Sequence, residues 1–220
     1  MANLTLVIGN KNYSSWSLRP WFLLTAFDIP FTELRIPLYE ADSQQRILTV
    51  SPSGKVPALR DGDVTVWDSL AICEYVAERF PDRAVWPRDA ATRAQARSVA
   101  AEMHSGFLAL RTEMPMNCRA RGRRVAPSAG AAQDIARIQS IWRTCRSAFG
   151  TTGPWLFGAF SAADAMFAPV VFRFATYGVA RDETAQAYVD TVLSHPAIEG
   201  WAADAAIEKE ALEPNEVGAI

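Results

Sequence analysis

The chain has 220 residues, of which 50% are apolar, 10% aromatic and 21% charged, with a formal net charge of −2. That profile excludes a disordered or fibrous protein and leaves room for one large domain or two small ones. No apolar run reaches the roughly 18 residues of a membrane span, and the N-terminus carries neither a basic region nor a small-residue cleavage site, so the expectation is a soluble cytoplasmic protein without a membrane partner.

In chain order, Leu4-Thr5-Leu6-Val7-Ile8 reads as a buried strand that stops at Gly9-Asn10. Residues 17–27 turn helical, with Pro20 placed in the first turn, where its missing N–H costs nothing. Residues 31–36 alternate as a second strand. After an irregular or helical link, Val56-Pro57-Ala58-Leu59-Arg60 and Val64-Thr65-Val66-Trp67 flank Asp61-Gly62-Asp63 as a hairpin. Asp68-Ser69 then caps a helix running to about Phe80, with Leu70, Ile72, Val76 and Ala77 on its inner side. The order predicts a small mixed sheet covered by helices.

Pro81, Trp86 and Pro87 punctuate a linker, and strand signals nearly vanish beyond it. Residues 89–120 read as one long helix and residues 128–149 as another. Ser161-Ala162-Ala163-Asp164 is a capping-box start for a buried apolar helix. Two further helices are expected near 184–194 and 197–209, with a frayed end from Glu210.

Charge is unevenly spread. Residues 88–150 carry 11 basic and 4 acidic side chains, whereas residues 151–220 carry 3 and 10. Such a split supports an anion site or internal complementarity. Arg119, Arg121, Arg123 and Arg124 crowd one stretch. Without interleaved aromatics they read as a solvated loop, or as a neutraliser of a neighbouring subunit's acidic tail, rather than as a nucleic-acid patch. Cys73, Cys118 and Cys145 are widely spaced and only two histidines are present, so free thiols are expected and no metal site.

Three N-terminal features carry chemistry. Tyr13-Ser14-Ser15-Trp16-Ser17 places hydroxyls and free N–H groups at a helix start, where an anion is stabilised. Ser53-Gly54-Lys55-Val56-Pro57 precedes a strand and suggests a turn that leaves the Val56 N–H and C=O free on an edge. Asp68-Ser69 offers a second helix start to a carboxylate. Each is also what an ordinary cap or turn looks like.

Together they resemble the cytosolic glutathione transferases over nearly the whole chain. The resemblance rests on Gly54-Lys55-Val56-Pro57-Ala58-Leu59, Asp68-Ser69-Leu70-Ala71-Ile72-Cys73-Glu74-Tyr75, Ser161-Ala162-Ala163-Asp164, and His195-Pro196 with Trp201. Ser14-Ser15-Trp16-Ser17 is most similar to the Ser-Ser-Cys-Ser motif of the serine-type zeta class, the maleylacetoacetate isomerase-like members. One position departs from it. Trp16 stands where that motif has cysteine, which removes a thiol from beside the sulfur and also argues against the cysteine chemistry of the omega class.

The fold implied is α/β plus all-α: a thioredoxin-like glutathione-binding domain over 1–82, then an all-helical co-substrate domain over 88–220. The resemblance implies Ser14 as the catalytic hydroxyl on the glutathione sulfur, with Ser15 and Trp16 lining the same pocket. It implies Val56 paired strand-like with the cysteinyl part of glutathione, Pro57 cis, Ser69 on the γ-glutamyl carboxylate and Asp68 on its ammonium. Ser161 and Asp164 would be a folding cap.

Glutathione is then a co-substrate, the partner a small, acidic electrophile, the assembly a homodimer and the role detoxification. Alternatives are a non-catalytic glutathione- or ligand-binding protein on the same fold, or a zeta-type cis–trans isomerase. For the co-substrate side, His104 and Arg111 lie seven apart on the expected long helix and would share a face, joined by Arg173 or Tyr177.

Overall fold

The computed structural model describes residues 4–218. Strand β1 (Leu4–Ile8) is buried almost throughout and occupies the middle of a four-stranded sheet ordered β2-β1-β3-β4. β2 (Phe31–Arg35) runs parallel to β1, with Leu6 opposite Glu33. β3 (Ala58–Asp61) is antiparallel on the other side, with Leu6 opposite Leu59, and β4 (Val64–Trp67) closes the hairpin. A parallel pair needs a crossover, and α1 (Ser15–Ala26) supplies it. The hairpin turns at Gly62, whose φ of +58° suits glycine. Helix α2 (Ser43–Leu48) lies in the link before β3, and α3 (Ser69–Arg79) follows β4.

The helical part contains α4 (Ala90–Ser105), α5 (Leu108–Glu113), α6 (Ala129–Phe149), α7 (Ala162–Thr176), α8 (Glu183–Leu193) and α9 (Pro196–Ile207). This is a thioredoxin-like unit followed by a helical one. Helix α7 is the axis of the core, buried along almost its entire length and packed against α1, α4 and α8. The Trp142 ring sits 6.0, 5.3 and 4.9 Å from the rings of Phe167, Phe174 and Tyr188. Cys73, Cys118 and Cys145 are free and buried.

Three sequence expectations need correction. The helix expected over 89–120 is broken: α4 ends at Ser105, Gly106 is extended, and Phe107 takes a left-handed φ of +61° before α5 begins. At Gly106 a Cβ would come within 2.8 Å of the Glu102 carbonyl oxygen, so the break needs glycine there. The Arg111 guanidinium caps the broken end, donating to the carbonyls of Met103, His104 and Gly106. His104 and Arg111 therefore do not share a helix face.

Helix α1 starts at Ser15, because the first serine of the run takes the cap. Ser14 accepts the Ser17 N–H, and Pro20 falls in the second turn rather than the first. The segment after Glu210 is not frayed. Leu212 is buried, and Glu216 accepts from Tyr13 Oη (2.6 Å) and Asn117 Nδ2 (3.0 Å) and pairs with Arg123. Arg119 donates to the carbonyls of Glu208 and Glu210 at 2.6 and 2.8 Å. Part of the arginine-rich stretch thus neutralises the acidic tail of its own chain.

The Ser161–Asp164 capping box forms as the sequence indicates. Asp164 is fully buried and accepts from the N–H groups of Leu156 (3.0 Å) and Ser161 (2.9 Å), the Ser161 hydroxyl (3.2 Å) and Tyr188 Oη (3.2 Å). Burial outweighs these bonds and pushes its carboxyl up from 3.8 to about 6. The folded state therefore holds an extra proton, and this contribution is full below the unfolded value and lost as pH rises through about 6. Denaturant titrations should show Asp164→Ala losing about 3 kcal/mol or more, because several buried donors lose their acceptor. The gap in stability between the native chain and Asp164→Asn should narrow as pH rises through that window.

Candidate active site

The first turn of α1 is built from a short hydroxyl chain. Ser14 Oγ donates to Ser17 Oγ at 2.7 Å, and Ser17 Oγ also accepts the Gly9 N–H at 3.1 Å. Ser14 and Ser15 are mostly buried, and both line a cleft of about 570 Å³. Trp16, Tyr39, Lys55, Val56, Arg111, Met116, Arg173 and Leu212 complete much of its wall. A second cleft of about 530 Å³ is lined by Trp16, Lys55, Val56, Pro57, Asp68, Ser69 and His104, among others. The two share Trp16, Lys55 and Val56 and so adjoin at the indole, which is 37% exposed.

In the second cleft the Val56–Pro57 peptide is cis, and neither backbone group of Val56 has a partner among the described residues. Asp68 is the N-cap of α3 at φ +77°, a conformation costing about 1–3 kcal/mol in a residue with a side chain. Its Oδ1 accepts the N–H groups of Leu70 (2.9 Å) and Ala71 (3.1 Å), which leaves the Ser69 N–H as the open donor of that helix end. His104 Nε2 lies 3.1 Å from Asp68 Oδ2. Burial lowers the imidazole pKa below 6.5, and Arg19 and Arg111 push the same way against the pull of Asp68. The ring is therefore neutral at pH 7 and the contact is a hydrogen bond to a carboxylate.

Trp16 is held by charge and by an edge contact. The guanidinium carbons of Arg19 and Arg111 lie 4.3 and 4.8 Å from its ring centroid, and the His104 ring meets it edge-on at 5.4 Å. Arg173, 95% buried, donates to the carbonyls of Arg111 and Met114 at the end of α5 and is pushed down to about 9, by burial first and then by Arg111.

Of the residues singled out from sequence, Ser14, Ser15, Trp16, Val56, Arg111 and Arg173 meet in the first cleft. Trp16, Val56, Pro57, Asp68, Ser69 and His104 meet in the second. His104 thus joins the Asp68 side rather than Arg111. Tyr177 lines neither of these clefts, because its hydroxyl is buried against the Pro115 carbonyl at 3.0 Å. Sequence reasoning missed Lys55, Leu212 and Arg19. For Arg19 a signal existed: it is the one charge in an otherwise uncharged helix rich in leucine and tryptophan.

Residues 13–79 match the family model of the glutathione S-transferase N-terminal domain, and residues 128–204 match that of the C-terminal domain. The chain belongs to the glutathione S-transferase family. Among relatives, it is 34% identical over 94 residues to pyrimidodiazepine synthase of Drosophila melanogaster, covering 41% of this chain and 38% of that one. It is 31% identical over 108 residues to a probable maleylacetoacetate isomerase of Caenorhabditis elegans, covering 49% and 50%. The matched stretches thus span half or less of these relatives. A glutathione transferase homologue from Burkholderia, solved with bound glutathione, has the same fold, with a TM-score of 0.71 at 23% identity over 92% of this chain and 97% of that one.

The His104 assignment has a direct check. In a proton NMR titration its midpoint should fall below 6.5, and Asp68→Asn should lower it further, since Asp68 is the influence that raises it. A midpoint above that value would mean that the pair is an ion pair.

Proposed function

We propose that the chain is a glutathione transferase in which Ser14 stabilises the glutathione thiolate for attack on a small, acidic electrophile. The observation that carries this is convergence: a serine hydroxyl at one helix start, the unpaired backbone of Val56 and the open Ser69 N–H line two clefts that meet at Trp16. On this reading the second cleft takes the peptide. Val56 pairs with the cysteinyl unit, Ser69 takes the γ-glutamyl carboxylate and Asp68 its ammonium. The sulfur then lies toward Ser14 and Ser15 at the junction, and the first cleft takes the electrophile.

A free thiol with a pKa near 8.5 is only a few per cent ionised at pH 7. One hydrogen bond to the anion, worth about 1.5–3 kcal/mol, and a helix start worth about 0.3–1 kcal/mol lower that pKa by about one to three units. Ser14 needs no base, because it only donates. To do so it turns its proton from Ser17 to the sulfur. The thiolate then forms a C–S bond with the electrophilic carbon, and the displaced electron pair leaves with the leaving group or rests on an acceptor atom that water protonates.

Arg111 and Arg173 support an anionic electrophile, since both line that cleft and the one carboxylate on its wall is Glu40. Tyr39, Met116 and Leu212 give it apolar surface. A homodimer is part of the proposal, as the likeness to the family implies, and the singly exposed Val64 and Leu108 are compatible with it. A cis–trans isomerase would begin with the same thiolate addition, and the likeness to a probable maleylacetoacetate isomerase supports that second reading.

Ser14→Ala should return the bound thiol toward its free pKa and cut turnover at neutral pH at least about tenfold, with glutathione affinity little changed. Thiolate absorbance across pH measures this, and an unshifted thiol in the native protein would sink the proposal. Arg111→Gln should raise KM about tenfold for a carboxylate-bearing electrophile and spare its neutral counterpart. Equal losses for both would mean that the guanidinium serves only to cap α4.

A further inference from the structure

Arg19 is the most anomalous polar group in the molecule. It is 0% exposed, yet Nε and Nη2 have no hydrogen-bond partner, and Nη1 makes a single long bond to Ser69 Oγ at 3.4 Å. No carboxylate pairs with it among the described residues. Asp68 is already engaged by Leu70, Ala71 and His104, and Cys73, whose thiol burial pushes up to about 12, stays neutral. Arg111 and Arg173 add repulsion. The face of Trp16 is the main compensation. A buried cation with orphan donors is costly, and such a group in a native protein calls for a function.

The guanidinium reaches the first residue of α3, the helix end whose Ser69 N–H is open. Arginine can only donate, so the Ser69 oxygen is committed as its acceptor. Ser69 has one hydroxyl proton, and that proton is left for an acceptor on the cleft side. Arg19 thus fixes Ser69 as a donor toward the cleft and adds positive potential to the helix end, while Trp16 stands close over the guanidinium.

We propose that Arg19 is a positioning residue that acts through Ser69 to hold a carboxylate at the start of α3. Resting on the glutathione reading above, that group is the α-carboxylate of the γ-glutamyl residue. The free chain carries an unpaired charge that the ligand's carboxylate neutralises, so the residue should harm stability and serve binding.

The test compares native protein, Arg19→Met and Arg19→Lys by thermal melting and by calorimetric titration with glutathione and with its analogue amidated at that carboxylate. Methionine fills a similar volume without charge, so Arg19→Met should melt at or above the native protein. It should bind glutathione about tenfold more weakly. Amidation should cost the native protein about tenfold or more and the methionine variant little, the non-additivity expected of groups that act together. Arg19→Lys should recover part of the loss.

A methionine variant that melts well below the native protein or fails to fold overturns the proposal, because the guanidinium would then be holding the fold. Unchanged glutathione affinity in that variant, or an equal penalty for amidation in both proteins, overturns it as well. If the native protein binds no glutathione at all, the glutathione reading fails first, and the outcomes are thereby told apart.

Discussion

The site depends on a loop that its own domain holds only in part. Between β1 and α1, the N–H groups of Lys11 and Asn12 both donate to the Glu208 carboxylate, at 2.7 and 3.0 Å. The Lys11 carbonyl accepts from Trp201 Nε1 (2.9 Å), and the Asn12 carbonyl from the Cys118 N–H (3.1 Å). Lys11 Nζ sits between Glu33 and Asp204, 5.0 and 5.4 Å from the ring centroids of Trp21 and Trp201. Buried backbone groups must be paired, and here the partners come from Cys118 after α5, from Trp201 on α9 and from Glu208 at its end. The cap that places Ser14 follows directly, so the helical half sets the geometry of the hydroxyl in the other half.

Around that fixed point the clefts gather positive charge. Arg19, Arg111 and Arg173 stand close together, and burial lowers the pKa of all three, helped for Arg19 and Arg173 by the charge of Arg111. What tempers them, apart from the pull of Asp134 on Arg111 and of Asp68 on Arg19, is carbonyl oxygen at helix ends, the Ser69 hydroxyl and the face of one indole. These are neutral partners, which stabilise a cation without cancelling its field toward the clefts. The neutral His104 adds no fourth charge, and its bond to Asp68 steadies the strained cap of α3.

Much of this was legible in the sequence where the signal is local. The strand of residues 4–8, the Asp61-Gly62-Asp63 hairpin, the Asp68 cap and the Ser161–Asp164 box each announce themselves within a few residues, because turn and cap chemistry is short-ranged. Ser14, Val56 and Ser69 could be singled out for the same reason. The break at Phe107 could not, since residues 89–120 keep helical spacing across it and the stabilising agent is the Arg111 guanidinium folded back on the carbonyls. Tyr177 has the look of a cleft residue until a carbonyl of the chain itself claims its hydroxyl. The tail looked loose because its partners, Tyr13 and Asn117, lie far away along the chain, where no periodicity can point to them.

The distance between Lys11 and Glu208, 197 positions along the chain, has a consequence for biosynthesis. Contacts of such long range form late, and domains fold from the N-terminus as they emerge during synthesis. The sheet can form before α9 is made, but the loop in front of Ser14 must wait for Trp201 and Glu208. A chain cut short before them would keep the sheet and leave the Lys11 and Asn12 backbone without those partners.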